Sequence, residues 1–115
     1  MKVEYYERPD GAEPAKEFID SLDVKMQAKL AMEIQLLEDF GTQLRQLYSE
    51  HLEDGIFELR AKVSTNISRV MYFFYVGNTA ILTNGFMKKT QQTPKAEIEK
   101  AKRYRDDYLK RKGIT

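Results

Sequence analysis

The run Arg69-Val-Met-Tyr-Phe-Phe-Tyr-Val-Gly-Asn-Thr-Ala-Ile-Leu-Thr-Asn-Gly-Phe-Met87 decides the fold. Two blocks rich in aromatic and β-branched residues flank Gly77-Asn78, a two-residue hairpin signal. A two-residue loop pairs Val76 with Thr79. Counting outward then sets Tyr72 opposite Thr83, and Arg69 opposite Phe86. Directly opposed side chains share a face, and neighbours along a strand alternate. One face therefore carries Val70, Tyr72, Phe74, Val76, Ile81, Thr83 and Gly85. The other carries Arg69, Met71, Phe73, Tyr75, Leu82, Asn84, Phe86 and, by extension, Lys88. A β-bulge would flip part of a strand and break this grouping.

Upstream, Ile56 to Val63 reads as the preceding strand, joined through a four-residue loop, Ser64 to Ile67. Its apolar set Phe57, Leu59, Ala61 and Val63 joins the first face, and Glu58, Arg60 and Lys62 join the second. Leu47 to Leu52, which holds the chain's one histidine, His51, is a weaker strand. Further back, Asp23 reads as the cap of a helix over residues 24–40, with the stripe Met26, Leu30, Ile34, Leu37 and Phe40. Glu33 falls inside that stripe, against the pattern. Gly41 ends the helix. Pro14 suits the first turn of a shorter helix, and Lys2 to Glu7 reads as an opening strand. Downstream, Thr93-Pro94 starts a last helix, with Thr93 as its cap. The order predicts an α+β domain: a small antiparallel sheet with two N-terminal helices on one face and a C-terminal helix.

With 115 residues, a single domain over 1–115 is expected. The chain has no cysteine, which removes disulfides and thiol chemistry. No His/Asp/Glu spacing suggests a metal site, and no cofactor-binding loop occurs. No apolar run approaches a membrane span. The opening MKVEYYERPDG lacks the apolar core of a signal peptide. A cytoplasmic protein without membrane contact is expected. The net charge of +1 hides a gradient: residues 1–54 hold six Lys/Arg against thirteen Asp/Glu, and residues 88–115 hold ten against four. Such asymmetry can focus a field on an anionic partner.

The second sheet face interleaves Arg60, Arg69, Lys62 and Lys88 with aromatics. Cations neutralise phosphates and aromatic faces stack bases, so this mixture suits single-stranded RNA. Fixed cations also stabilise charge that builds up on phosphoryl oxygens during cleavage. The same arginines could instead pair with Glu58 as part of the framework. His51, as a lone histidine, rules out a two-histidine mechanism.

Three segments carry a family resemblance: Gly55-Ile-Phe-Glu-Leu-Arg60, Ser68-Arg-Val-Met-Tyr-Phe-Phe74, and Gly85 to Tyr104 (GFMKKTQQTPKAEIEKAKRY). They resemble HigB-like toxins, a branch of the RelE/ParE superfamily also described as phage-derived RelE-like toxins. The resemblance runs over nearly the whole chain. It implies a RelE-like, microbial-ribonuclease-like fold and the toxin of a type II toxin–antitoxin system. The activity implied is ribosome-dependent cleavage of translated messenger RNA in the A site, by attack of a ribose 2′-OH on its adjacent phosphate, without a metal or cofactor. The implied partners are the ribosome, its message and a HigA-like helix-turn-helix antitoxin, with operator DNA reached only through the antitoxin.

By the same resemblance Arg60 and Arg69 contact the scissile phosphate. Lys88 and Lys89 hold phosphate or ribosomal RNA. Phe86 stands near a position that is Tyr in RelE-like relatives; without a hydroxyl it can stack a base but not transfer a proton. Many HigB-like sequences place a histidine just before that aromatic, where this chain has Asn84-Gly85. The general base is thus open between Glu58 and His51. On this reading the catalytic set is Arg60, Arg69, Glu58 and Lys88, and the RNA-binding set is Lys62, Phe86, Lys89 and His51. Two other readings share the fold: a ParE-like toxin that binds DNA gyrase without cutting RNA, and a decayed toxin that only binds its antitoxin.

Overall fold

The computed structural model describes residues 1–44, 48–87 and 92–113. Strand β1 (Lys2–Tyr5) leads to helices α1 (Pro14–Asp20) and α2 (Val24–Phe40), then a 3₁₀ turn, Gly41–Gln43. Strands β2 (Ser49–Glu53), β3 (Ile56–Val63), β4 (Asn66–Tyr75) and β5 (Thr79–Met87) follow, and α3 (Lys95–Arg111) closes the order. The fold is α+β, with two helices before the main run of strands and one after it. No helix among the described residues is long and apolar enough to cross a membrane.

The five strands form one sheet in the order β1-β5-β4-β3-β2. It is mixed, which corrects the antiparallel expectation: β1 pairs parallel to β5, with Val3 opposite Ala80 and Tyr5 opposite Leu82. The reason is the path of the helices. From β1 at one edge, α1 and α2 carry the chain across the face to the far edge. There β2 starts a meander that works back until β5 meets β1. A parallel pair needs such a long crossover.

Local signals set the helix ends. Pro14 occupies the first turn of α1. Asp23 caps α2, its Oδ1 accepting from the Met26 N–H at 2.8 Å, and Gly41 ends the helix at φ +56°. Thr93 does not cap α3. The N-cap position is Pro94, with no side-chain cap.

The β4–β5 register corrects the count twice. Tyr75, not Val76, pairs with Thr79, so the loop has three residues, 76–78. Val76 there takes φ +57° and Gly77 +78°. An irregularity after Met71 then restores the count, so that Arg69 does lie opposite Phe86, while Tyr72 lies opposite Leu82 rather than Thr83. Near the turn the faces of Ile81 and Leu82 are therefore exchanged. Leu82 packs with Tyr72, Leu59, Ala61 and Val70 under Ala15, Ile19, Met26, Leu30 and Leu37 of α1 and α2. Ile81 joins Phe73, Met71, Ile56 and Tyr6 under Ala101 of α3. The β3–β4 loop is also shorter than expected, with Val63 paired to Asn66. That two-residue shift keeps every side chain of β3 on its expected face.

A second correction follows. The face that carries Arg60 and Arg69 is not an open aromatic surface. Helix α3 covers its middle, and Met71 and Phe73 are core residues. What stays accessible is the end of that face beyond α3, toward Arg60 and Lys62.

Candidate phosphate-binding cleft

Arg60 and Arg69 are directly opposed across β3 and β4. Strand alternation puts Glu58 two residues before Arg60 on the same face. Glu58 is fully buried. Its Oε2 accepts from Arg69 Nη1 at 2.6 Å, and its Oε1 accepts from the Thr93 hydroxyl at 2.5 Å. Arg69 Nη1 also reaches Thr93 Oγ1 at 3.5 Å. Glu58 thus ties β3, β4 and the segment entering α3 together through one guanidinium. Arg60 sits further out, with its side chain 34% exposed against 3% for Arg69. Its Nη1 lies 3.5 Å from Glu50 and its Nε 3.9 Å from Glu58.

These groups border an open cleft of about 670 Å³, lined by Lys29, Glu33, Tyr48, Glu50, Arg60, Lys62, Ile67, Arg69 and Gln92. The cleft lies beside Arg60 and Lys62 of β3, beyond the start of β2. Arg60 and Lys62 enter from one sheet face, and α2 supplies Lys29 and Glu33 from the other. Arg69 also borders a smaller hollow of about 290 Å³ with Gln92, Thr93 and Ile98. Four cationic side chains meet in the larger cleft. Beside Glu33 and Glu50, this cluster has the donor types that suit an anion of phosphate type.

Of the expected site residues, the structure brings Arg60, Lys62 and Arg69 to the cleft. It does not bring Glu58 there as a base: the carboxylate is sealed in, with an oxygen on each of two partners. His51 borders the smaller hollow, but its ring packs on Phe57 with centroids 4.9 Å apart, and Nε2 accepts from the Gly55 N–H at 3.2 Å. Phe57 packs on the α1/α2 side, so the His51 ring is held there although the residue shares the small hollow with Arg69. Phe86 shares a face with Arg69 but packs half-buried against the cluster under α3. Lys88 and Lys89 lie outside the described residues.

The Asn84-Gly85 pair has a structural explanation. A Cβ at Gly85 would stand 2.4 Å from Phe18 Cδ2 and 3.0 Å from the Arg69 carbonyl oxygen. Helix α1 packs where a side chain would go, so no histidine fits there without moving it. Asn84 points the other way. Its amide donates to Glu97 O at 3.3 Å and to Glu97 Oε1 at 3.2 Å, anchoring α3.

Two groups take roles that the sequence reading did not give them. Thr93, read as a cap, is a ligand of Glu58. Glu33, the misfit in the α2 stripe, is fully buried in the cleft wall, and neither of its oxygens has a hydrogen-bond partner among the described residues. Burial pushes its carboxyl up to about 8, against the nearby charges of Lys29 and Arg60, which pull it down. At neutral pH it is a neutral acid.

Residues 17–106 match the model of a family described as "Phage derived protein Gp49-like". No curated protein matches the sequence.

Proposed function

The chain belongs to the phage-derived Gp49-like family, a family of RelE-like toxins, and we propose that it cuts messenger RNA on the ribosome as the toxin of a type II toxin–antitoxin pair. The observation that carries this reading is the Arg60–Arg69 pair, opposed across two strands on the wall of one cationic cleft. In the proposed reaction a ribose 2′-oxygen attacks the adjacent phosphorus and the bond to the 5′-oxygen breaks. The 2′-OH loses its proton and the departing 5′-oxygen gains one. The products are a 2′,3′-cyclic phosphate and a 5′-hydroxyl. Arg60 and Lys62 are placed to meet the non-bridging oxygens as negative charge grows there. Arg69, fixed by Glu58 and Thr93, sets the floor.

Among the described residues, Glu58 is sealed away from this cleft, and Glu33, in its wall, is held neutral by burial. The ribosome must therefore supply most of the in-line geometry, a contribution worth several kcal/mol in itself. A HigB-like specificity, with a helix-turn-helix antitoxin that alone contacts operator DNA, completes the proposal.

The test is primer extension on a translated message, with and without ribosomes, comparing wild type with Arg60→Ala. Arg60 is the better probe because it is partly exposed. Removing Arg69 would strand the Glu58 charge in the interior, a loss of about 3–5 kcal/mol that confuses folding with catalysis. The expected result is new A-site 5′ ends that require ribosomes. Arg60→Ala should weaken them about 100-fold or more while the melting temperature holds. An intact message with wild-type protein overturns the nuclease reading. Growth arrest without cleavage would then point to a gyrase-binding toxin, and neither effect to a protein that only binds its antitoxin.

A further inference from the structure

Glu33 is not explained by packing. It occupies a core position of α2 between Leu30 and Leu37, both fully buried. A leucine or methionine there would extend the stripe at no electrostatic cost. A buried carboxyl without a partner among the described residues is costly whether it stays neutral or ionises. It also stands in a particular place, bordering the cleft that holds Arg60 and Arg69.

We propose that Glu33 is a positioning residue that competes with bound phosphate for Arg60: neutral, it leaves the guanidinium to the ligand, and ionised, it draws the guanidinium into the α2–β3 wall. The proposal rests on the phosphate-binding reading of the cleft and adds its regulation by protons. The charged and titratable groups round the cleft are Lys29, Tyr48, Glu50, Arg60, Lys62 and Arg69. Lys29, on the same helix, and Arg60, on β3, are the two that act on the Glu33 carboxyl. Arg69 is held at 2.6 Å to a buried carboxylate and is 3% exposed, whereas Arg60, whose contacts include carboxylates at 3.5 and 3.9 Å, is 34% exposed. Arg60 is thus the more accessible of the two guanidiniums and the one whose charge acts on Glu33. Linkage makes the effect reciprocal: a phosphate beside Arg60 disfavours the Glu33 anion, so binding at alkaline pH takes up a proton.

The experiment measures binding of a fluorescent single-stranded RNA decamer between pH 6.5 and 9.5, by anisotropy, for wild type and Glu33→Gln. Wild-type affinity is expected to hold up to about pH 8 and then to fall, approaching tenfold per pH unit for one linked proton. Glu33→Gln, which cannot ionise, should give a flat profile. Parallel profiles for the two proteins overturn the role of Glu33 and leave the RNA reading intact. Wild type that binds at no pH overturns the RNA reading itself. A second measurement needs no RNA: carbon-13 NMR of the Glu33 carboxyl should place its midpoint near 8, and Arg60→Ala should move it higher. A midpoint in the ordinary carboxylate range, or one indifferent to Arg60→Ala, also overturns the proposal.

Discussion

At Glu33, folding moves a carboxyl from water, where it titrates near 4.5, to a wall that holds it near 8. Between these values the folded chain binds a proton that the unfolded chain has released, so stability falls as pH rises from about 4.5 to 8. The loss is roughly 4 kcal/mol at most. Glu33→Gln removes it. The variant should therefore melt close to wild type near pH 4.5 and several degrees above it at pH 8. Melting curves across that range check the sign, and a gap that narrows with rising pH would refute it. Glu33 was legible in the sequence as a charge inside an apolar stripe. Its environment was not, because the facing residues lie on β3 and in the chain that follows α2. Glu58 shows the opposite limit. Alternation put it on the face of the two arginines, but only tertiary contact with Thr93 turned a candidate base into a sealed strut. The alternative already visible in the sequence, that an arginine pairs with Glu58 as framework, describes Arg69.

The ends of α2, which depend on neighbours in sequence, were read to the residue. Asp23 and Gly41 bound α2 as expected, because a cap is a contact over three residues and a left-handed terminus needs a glycine. Elements whose register depends on a loop were not. Val76 enters the β4–β5 loop at φ +57°, costly for a β-branched residue, and a residue count cannot foresee it. The irregularity after Met71 cancels the slip, so the Arg69–Phe86 pairing survived two errors of opposite sense. The docking of α1 offers a sharp check. A methyl group at Gly85 would meet the Phe18 ring at 2.4 Å. Gly85→Ala should cost about 1–3 kcal/mol by overpacking. Phe18→Leu in the same chain should recover part of that loss, since the clash is with the ring. Urea midpoints of the two single variants and the double variant give the coupling. Strict additivity would mean that Phe18 is not the obstacle.

Across the whole molecule, the sheet is clamped from both sides, and α3 does double service. It buries Tyr6, Met71, Phe73 and Ile81, and it fixes the segment that presents Gln92 and Thr93 to Arg69. Its fastenings are of unequal strength. Lys102 to Glu53, Arg105 to Asp54 and Arg111 to Glu7 are surface contacts, which salt and solvent weaken. The Tyr6 hydroxyl is different. Tyr6 is almost wholly buried, its ring stacks on Tyr104 with centroids 4.7 Å apart, and its hydroxyl donates to Asp107 at 2.7 Å. That bond is to an ionised acceptor, whose carboxyl the tyrosine and Arg111 hold below its usual value. Hydrogen bonds to charged groups contribute about 1.5–3 kcal/mol. Tyr6→Phe keeps the ring and loses the bond, so it should destabilise by that amount, and Arg105→Ala by less. The Tyr6 contribution is present above the ordinary Asp range and lost as pH falls below about 4 and Asp107 takes up a proton. The difference between wild type and Tyr6→Phe should therefore shrink on acidification, while Glu33→Gln and wild type converge in the same direction for the opposite reason. Because α3 also positions Thr93, Tyr6→Phe should speed hydrogen exchange in α3 and lower RNA cleavage together. Faster exchange without any change in cleavage would show that the helix holds the fold but not the cleft.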